Sequence, residues 1–402
     1  MIRRYTHVSQ IPNSHLGYYR YQNEYYTAPA DIYDTALARK DYYPRIEYLF
    51  HEDVYNKFDT EQEPDISLEQ LYVQRARQLR EENDYLILSF SGGSDSTQIL
   101  HTFLKNNIKL DEVHSFYPKT LLKALPASID EMHPHALLHE YQWACRPVLE
   151  QLAKTHPEIK IVDLDYTSEL RSYCSDENLA FNLPKHVLSS SLYIPARNMF
   201  YHDFTQKYIS GMKHRKVGVI RGSDKPLMHV YRNDVFFSFC DFNRSGWAIA
   251  AQTDIGLSSN YNPIMFYWSP SCPLLTIKQA HVMKNEMQYN PEFRKFFVSD
   301  TGNRFPNIRK SLRENMMSVL LYPDWNASTF QKRIKTTSDE SIITDLLPEL
   351  HWLDKLKEKN AYYSSKYKNI ANMNDINGEA ALKNTLPLNT FWTKKYKVGT
   401  IR

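Results

Sequence analysis

From residue 67 onward, hydrophobic and polar positions fall into blocks that alternate between two periods. Ser67-Leu-Glu-Gln70 opens a helical pattern reaching about Glu82, with Ser67 as N-cap and Gln70 as its capping-box partner. Tyr85 to Phe90 is a nearly continuous apolar run, the pattern of a strand buried on both faces of a parallel sheet. Two glycines follow at once. A helical pattern then pairs Ile99 with Phe103 and Leu100 with Leu104 at i,i+4. Further strands are predicted at Asp111–Tyr117, Ile159–Asp165 and Lys216–Arg221. Helices are predicted over Tyr141–Lys154 and over Leu192–Tyr208, the latter entered through Pro195. Strands alternating with helices predict an α/β fold. It is a Rossmann-like parallel sheet with helices on both faces and ligands outside the carboxyl ends of the strands.

The two ends read differently. Residues 1–66 are rich in Tyr, Asp, Pro and His with weak periodicity, and predict an N-terminal extension or cap with one short helix at Ala30–Arg39. The α/β domain is expected over 67–272. After Pro273 the pattern turns helical and charged, clearest over Ile277–Met287 and Ile308–Leu321, so 273–402 is expected to form a mostly helical C-terminal domain. The basic stretch Lys394–Lys397 reads as a solvated tail, with phosphate or nucleic-acid contact as the alternative.

Composition narrows the class. A chain of 402 residues with a formal charge of +3 is neither strongly basic nor disordered in composition; a nucleic-acid partner is possible but not demanded. The sequence has no apolar run long enough to span a membrane and its start has no signal-peptide h-region, so a cytoplasmic protein without a membrane partner is expected. Cys145, Cys174, Cys240 and Cys272 are far apart, which fits a reducing compartment. Cys240 and Cys272 sit in apolar surroundings and read as ordinary buried thiols rather than nucleophiles. His133, His135 and His139, flanked by Glu131 and Glu140, read as a solvated insertion rather than a metal site. Tyrosine is abundant at 29, which suits large amphipathic surfaces. Glycine is scarce at 11, so an adjacent pair stands out.

That pair, Gly92-Gly93, carries the chemistry. Strand, glycine turn and helix N-terminus together make an anion site, with backbone N–H groups and the helix dipole aimed at whatever sits above the turn. Both glycines are expected to adopt positive φ and allow close approach of a phosphate. Ser91, Ser96 and Thr97 add hydroxyl donors. Asp95, expected to face solvent, puts a carboxylate beside a polyanion, which makes sense if it binds a magnesium ion or a phosphate-binding water. The loop lacks the lysine and the long span of a Walker A motif.

The stretch Ser91-Gly92-Gly93-Ser94-Asp95-Ser96 resembles the pyrophosphate loop of the N-type ATP pyrophosphatases. Two further stretches resemble the 7-cyano-7-deazaguanine synthase family within that superfamily. They are Pro195-Ala196-Arg197-Asn198, and the strand end holding Gly218, Arg221, Gly222 and Asp224, where the family's asparagine is replaced. Cys272-Pro273-Leu274 through Lys278 is similar to the segment preceding that family's C-terminal helices. The resemblance covers about residues 83–285.

It implies ATP and Mg2+ as cofactors. The expected reaction is adenylation of a carboxylate or carbonyl oxygen of a small molecule or heterocycle, then attack by ammonia or an amine. Ser91, Gly92, Gly93, Ser94, Asp95, Ser96 and Thr97 would bind pyrophosphate, with Phe116 flanking adenosine. Arg197, Asn198 and Gly222 would complete the nucleotide site. Asp95, Arg197 and Lys225 would act in catalysis, and Asp95 and Asp224 would hold the metal. The family's four-cysteine zinc site has no counterpart here, so no structural zinc is expected. The alternatives are a sulfur-transfer or sulfonucleotide-reductase-like member and a non-catalytic nucleotide-binding module.

Overall fold

A computed structural model describes residues 2, 4–11, 14–122, 140–175, 204–213, 216–222, 225–241, 259–297, 306–325 and 392–402, with a few positions between 358 and 370. Its centre is a five-stranded, wholly parallel sheet. The strands are β4 (Tyr85–Ser89), β5 (Glu112–Tyr117), β6 (Lys160–Asp165), β7 (Val217–Arg221) and β10 (Tyr261–Met265), in the order β10-β7-β4-β5-β6. The chain winds outward from β4 through β5 to β6, then returns to the other side of β4 for β7 and β10. The connections therefore diverge between β4 and β7. In a doubly wound sheet that divergence opens a crevice at the carboxyl ends of the two strands.

Alternation along β4 explains its apolar run. Leu86 and Leu88 join the large core cluster with Leu71, Leu79, Ile99 and Phe103, from the helices Leu68–Glu82 and Ser94–Lys105. Ile87 points the other way and packs with Val217, Val219 and Ile209, the last on the helical residues 204–210. A strand with helices on both faces has no solvent side, so it alternates in direction and not in polarity. The Leu68–Glu82 helix starts as its sequence predicts. Gln70 N–H donates to Ser67 Oγ at 3.2 Å, and Ser67 N–H donates to Gln70 Oε1 at 3.1 Å.

Several expectations need correction. The N-terminal segment holds a three-stranded antiparallel sheet in the order β2-β1-β3, from β1 (Tyr18–Tyr21), β2 (Glu24–Tyr26) and β3 (Ile46–Leu49), beside the helix Pro29–Ala38. Its alternation is carried by tyrosines, with Tyr19 and Tyr21 inward around an outward Arg20. Tyrosine has an apolar body and a polar tip, which blurs the period in sequence. The fifth strand, β10, which the pattern did not show, carries Pro263 at its centre. Proline is tolerated there because β10 is an edge strand. The helix predicted from Tyr141 opens with a π-helical turn, Glu140–Cys145, before Arg146–Thr155.

The chain end is a strand rather than a solvated tail. Strands β8 (Leu227–Tyr231) and β9 (Asp234–Ser238) form a hairpin, and β11 (Tyr396–Thr400) adds to β9 antiparallel. Tyr396 is buried and stacks on Phe237 with ring centroids 5.1 Å apart. Lys397 is neutralised by Glu61 and Asp234 at 3.4 and 3.5 Å. From the N-terminal segment, Tyr55 packs against the Tyr396 and Phe237 rings and Phe50 against Phe239 just beyond β9. Buried residues of all three sequence segments belong to one core cluster. Among the described residues, no helix is long and apolar enough to cross a membrane.

On the 204–210 face, β5 carries two fully buried ionisable groups, Glu112 and His114, with His114 Nε2 3.0 Å from Glu112 Oε1. Tyr208 donates to Glu112 Oε1 at 2.5 Å and Tyr85 donates to Oε2 at 3.0 Å. Lys160 approaches from the rim at 3.3 Å. Burial alone would push the Glu112 carboxyl up. Its contacts with His114 and Tyr208, together with the Lys160 charge, outweigh burial and bring it down to about 2. A depressed carboxyl stabilises the fold fully above its ordinary value of 4.5, and that contribution is lost as pH falls towards about 2. Glu112→Gln is expected to cost about 3 kcal/mol at pH 7. The gap from wild type should close as the pH of a urea titration is lowered through that window. An unchanged midpoint at pH 7 would contradict this account.

Candidate active site

The crevice between β4 and β7 is where the glycine loop lies. In register, Ser89 at the end of β4 faces Arg221 at the end of β7. Beyond β4, Ser91-Gly92-Gly93 turns into the helix Ser94–Lys105. Gly92 has φ +76°, and a Cβ there would lie 2.5 Å from the backbone nitrogen of Cys145 and 2.7 Å from the carbonyl carbon of Ala144. Glycine is therefore required twice over, by the dihedral and by the π-helical turn resting on it. Gly93 corrects the expectation of a second positive φ: at φ −70° it is the helix N-cap in extended backbone that any residue adopts. A Cβ on Gly93 would meet Glu140 Oε1 at 2.9 Å.

The loop's hydroxyls largely serve its own shape. Ser96 donates to the Gly93 carbonyl at 3.1 Å and Thr97 to the Gly92 carbonyl at 3.3 Å. Ser91 Oγ accepts from Gly93 N–H at 3.2 Å and remains exposed at the loop surface. Thr97 N–H makes a bond to Gly93 O at 3.0 Å, so the N–H groups of Ser94, Asp95 and Ser96 lie ahead of that turn of the helix. Tyr117, at the end of β5, donates to Ser91 O at 2.7 Å and holds the loop from the neighbouring strand.

Asp95 is half-buried and paired rather than open to solvent, its side chain 23% exposed. Its Oδ1 accepts from Lys225 Nζ at 2.8 Å and from Tyr322 at 2.5 Å. Its backbone carbonyl accepts from Tyr267 at 2.8 Å. The Lys225 side chain is only 5% exposed. Its ammonium also sits over the Tyr322 ring, 5.0 Å from the centroid. Burial first, then the Asp95 charge, push the Tyr322 phenol well above its ordinary value, so it remains a donor. Gly222 closes the arrangement: a Cβ there would lie 3.0 Å from the Asp95 carbonyl carbon and Cβ, so glycine permits the two loops to touch.

The sequence-predicted residues divide into groups. Ser91 to Thr97, Gly222 and Lys225 are brought together at the crevice. Ser94 turns its hydroxyl to Ser318 at 2.8 Å; Ser318 itself donates to the Glu314 carbonyl, so Ser94 is the donor. Phe116 packs its ring 5.6 Å from Phe204 on the sheet face that carries residues 204–210, whereas its neighbour Tyr117 reaches the loop. Gly218 lies inside β7, where a Cβ would strike Ile264 and Leu86, so it serves packing and does not belong to the ligand end. Arg197, Asn198 and Asp224 fall outside the described residues, as do His133, His135 and His139.

Residues that sequence reasoning missed are Tyr117, Tyr267, Tyr322, Ser318 and Glu140. They come from four separate stretches of chain and share no motif. The surplus of tyrosine was the available signal. Among the described residues, no group of three His, Cys, Asp or Glu side chains is placed to hold a metal ion. Two cavities lined by described residues lie away from the loop. One, of about 140 Å3, runs along β10 with Arg75 and Trp268 in its wall, and the other, of about 460 Å3, lies over the N-terminal sheet beside His15 and His51.

No family model matches the chain, and no curated protein matches it.

Gly92→Ala is expected to combine the cost of a left-handed dihedral with backbone overlap, lowering unfolding free energy by about 2–4 kcal/mol. Gly93→Ala, which meets the side-chain ends of Glu140 and Ser91 and no backbone, should cost about 1 kcal/mol. Equal midpoints for the two variants in chemical denaturation would overturn the local geometry.

Proposed function

We propose that this protein is an ATP pyrophosphatase-type ligase. The observation that supports the reading best is the meeting of the Ser91–Thr97 loop with Gly222 and Lys225 at the divergence point of a parallel sheet. A nucleotide triphosphate laid across that crevice would set its terminal phosphates over the helix N-terminus, where amides and the helix dipole favour negative charge. Lys225 is close enough to Asp95 to shift its ammonium from carboxylate to phosphate with a small side-chain movement, and so to follow charge as it develops on the leaving group.

In the proposed reaction a carboxylate or carbonyl oxygen of a small molecule or heterocycle attacks the α-phosphorus. The bond from that phosphorus to the bridging oxygen breaks, and pyrophosphate leaves. When the oxygen belongs to a carboxylate, ammonia or an amine then adds to the activated carbon and AMP departs with that oxygen, leaving an amide. When it is the carbonyl oxygen of a primary amide, a second ATP activates it in the same way, and loss of AMP and the N–H protons leaves a nitrile. Mg2+ in such sites is held by one or two carboxylates and by the phosphates themselves, and supplies charge neutralisation. Asp95 and Asp224 are proposed from sequence to hold it. Arg197 and Asn198 are proposed to contact nucleotide and substrate.

A sulfur-handling reaction is less favoured. Burial pushes the Cys145 thiol up to about 12 and the Cys272 thiol also upward, so neither is a ready nucleophile.

The test is pyrophosphate release from ATP and Mg2+ across a panel of carboxylate and heterocyclic acceptors with ammonium as nitrogen source. At least one acceptor should drive release. Asp95→Asn keeps an oxygen for Lys225 and Tyr322, unlike Asp95→Ala, but leaves the buried ammonium without its counter-charge, so it should cost about 2–4 kcal/mol of stability. Assayed below its own unfolding midpoint, it should lower the rate by about 100-fold or more. Release that no acceptor stimulates, or an Asn variant with wild-type turnover, would sink the proposal.

A further inference from the structure

Tyr322 lies 227 residues from Asp95 in sequence, immediately after the helix Pro306–Leu321, yet its hydroxyl sits 2.5 Å from Asp95 Oδ1. A second tie runs beside it, from Ser94 to Ser318 on that helix. Two successive residues of the loop's helix start are therefore fastened to one C-terminal helix end. That end is itself fixed. Tyr72 donates to the Leu321 carbonyl at 2.9 Å, and Gln279 donates to the Tyr72 hydroxyl at 3.1 Å. Tyr72, Tyr267 and Tyr322 are each fully buried, with ring centroids 5.5 to 6.3 Å apart.

We propose that Tyr322 is a positioning residue for the phosphate loop, acting through Asp95. The inference rests on the proposed nucleotide reading of the crevice and adds that the C-terminal helix completes the site. Two donors on a single carboxylate oxygen fix the side chain's rotation, so the second oxygen is presented in one direction. The phenol is neutral, so it orients the carboxylate without cancelling its charge, whereas Lys225 does both. When Lys225 turns to phosphate, Tyr322 is the donor that still holds Asp95 in place. A phenylalanine here would keep the ring packing and the platform under Lys225 and lose only this bond.

Tyr322→Phe is compared with Tyr85→Phe, which likewise removes a phenol bonded to a carboxylate, Glu112, but on the other face of the sheet. Two quantities are read in the full-length protein: amide hydrogen exchange at Thr97, the first amide of the helix with a backbone partner, without ligand, and calorimetric binding of ATP at a series of Mg2+ concentrations. In Tyr322→Phe, exchange at Thr97 should quicken about tenfold, and the Mg2+ concentration needed for half-maximal ATP binding should rise by about tenfold, as expected for losing a hydrogen bond to a charged group. Tyr85→Phe should leave the Mg2+ requirement within about twofold of wild type. If wild type binds Mg2+ and ATP but the two variants behave alike, the positioning role is overturned and the ligand reading survives. If wild type protects Thr97 yet binds no ATP, the ligand reading fails and takes the positioning role with it, leaving Tyr322 a packing contact.

Discussion

The Asp95 carboxylate is the point on which the rest of the site depends. It joins three stretches that are remote in sequence: the loop after β4, Lys225 following β7, and the end of the C-terminal helix through Tyr322. Lys225 is almost wholly withdrawn from water. A buried ammonium without a counter-charge costs several kcal/mol, so removing Asp95 outright would disturb the fold as well as any chemistry. The same pairing makes the crevice electrically quiet until something else claims Lys225. A polyanion is the natural claimant, because the loop beneath is already built from backbone amides and a helix N-terminus.

Around that pair the protein uses tyrosine as interior scaffolding. Tyr117, Tyr267 and Tyr322 each donate to the glycine loop or to Asp95, and Tyr72 donates to the carbonyl that ends the C-terminal helix. A phenol fills a core position like phenylalanine and then satisfies a buried acceptor at its far end. The arrangement explains why a chain rich in tyrosine buries so many of them, and why Tyr322 and Tyr267 are held far above their ordinary titration range by burial and by neighbouring charge and phenols. The Glu112–His114 group on the opposite face follows the same logic, with Tyr208 and Tyr85 both donating to one carboxylate.

What the sequence made legible was local. The apolar run at Tyr85–Phe90, the capping box at Ser67 and Gln70, and the glycine pair each depend on residues a few positions apart. All three are found as strand, helix start and turn. The parallel α/β class followed from their alternation. What stayed hidden depends on contacts across the chain. Nothing near Tyr322 says that its hydroxyl will meet Asp95, and nothing near Lys394–Lys397 says that Tyr396 will close a sheet with the β9 hairpin strand. Pro263 masked an edge strand, and tyrosine's double character masked the N-terminal sheet. The pairing of Asp95, expected only to face solvent, was hidden for the same reason: its partners arrive from 130 and 227 residues away.

The central claim is that the Ser91–Thr97 loop, braced by Asp95, Lys225 and Tyr322, receives the terminal phosphates of a nucleotide. A crystal structure with Mg2+ and an ATP analogue carrying a methylene bridge between the α- and β-phosphorus would test it most directly. The account predicts β- and γ-phosphate oxygens within hydrogen-bond distance of amides between Gly92 and Ser96, with Lys225 moved from Asp95 to a phosphate and Tyr322 still on the carboxylate. A nucleotide found instead in the cavity along β10 or over the N-terminal sheet, or no nucleotide density at saturating concentration, would contradict it.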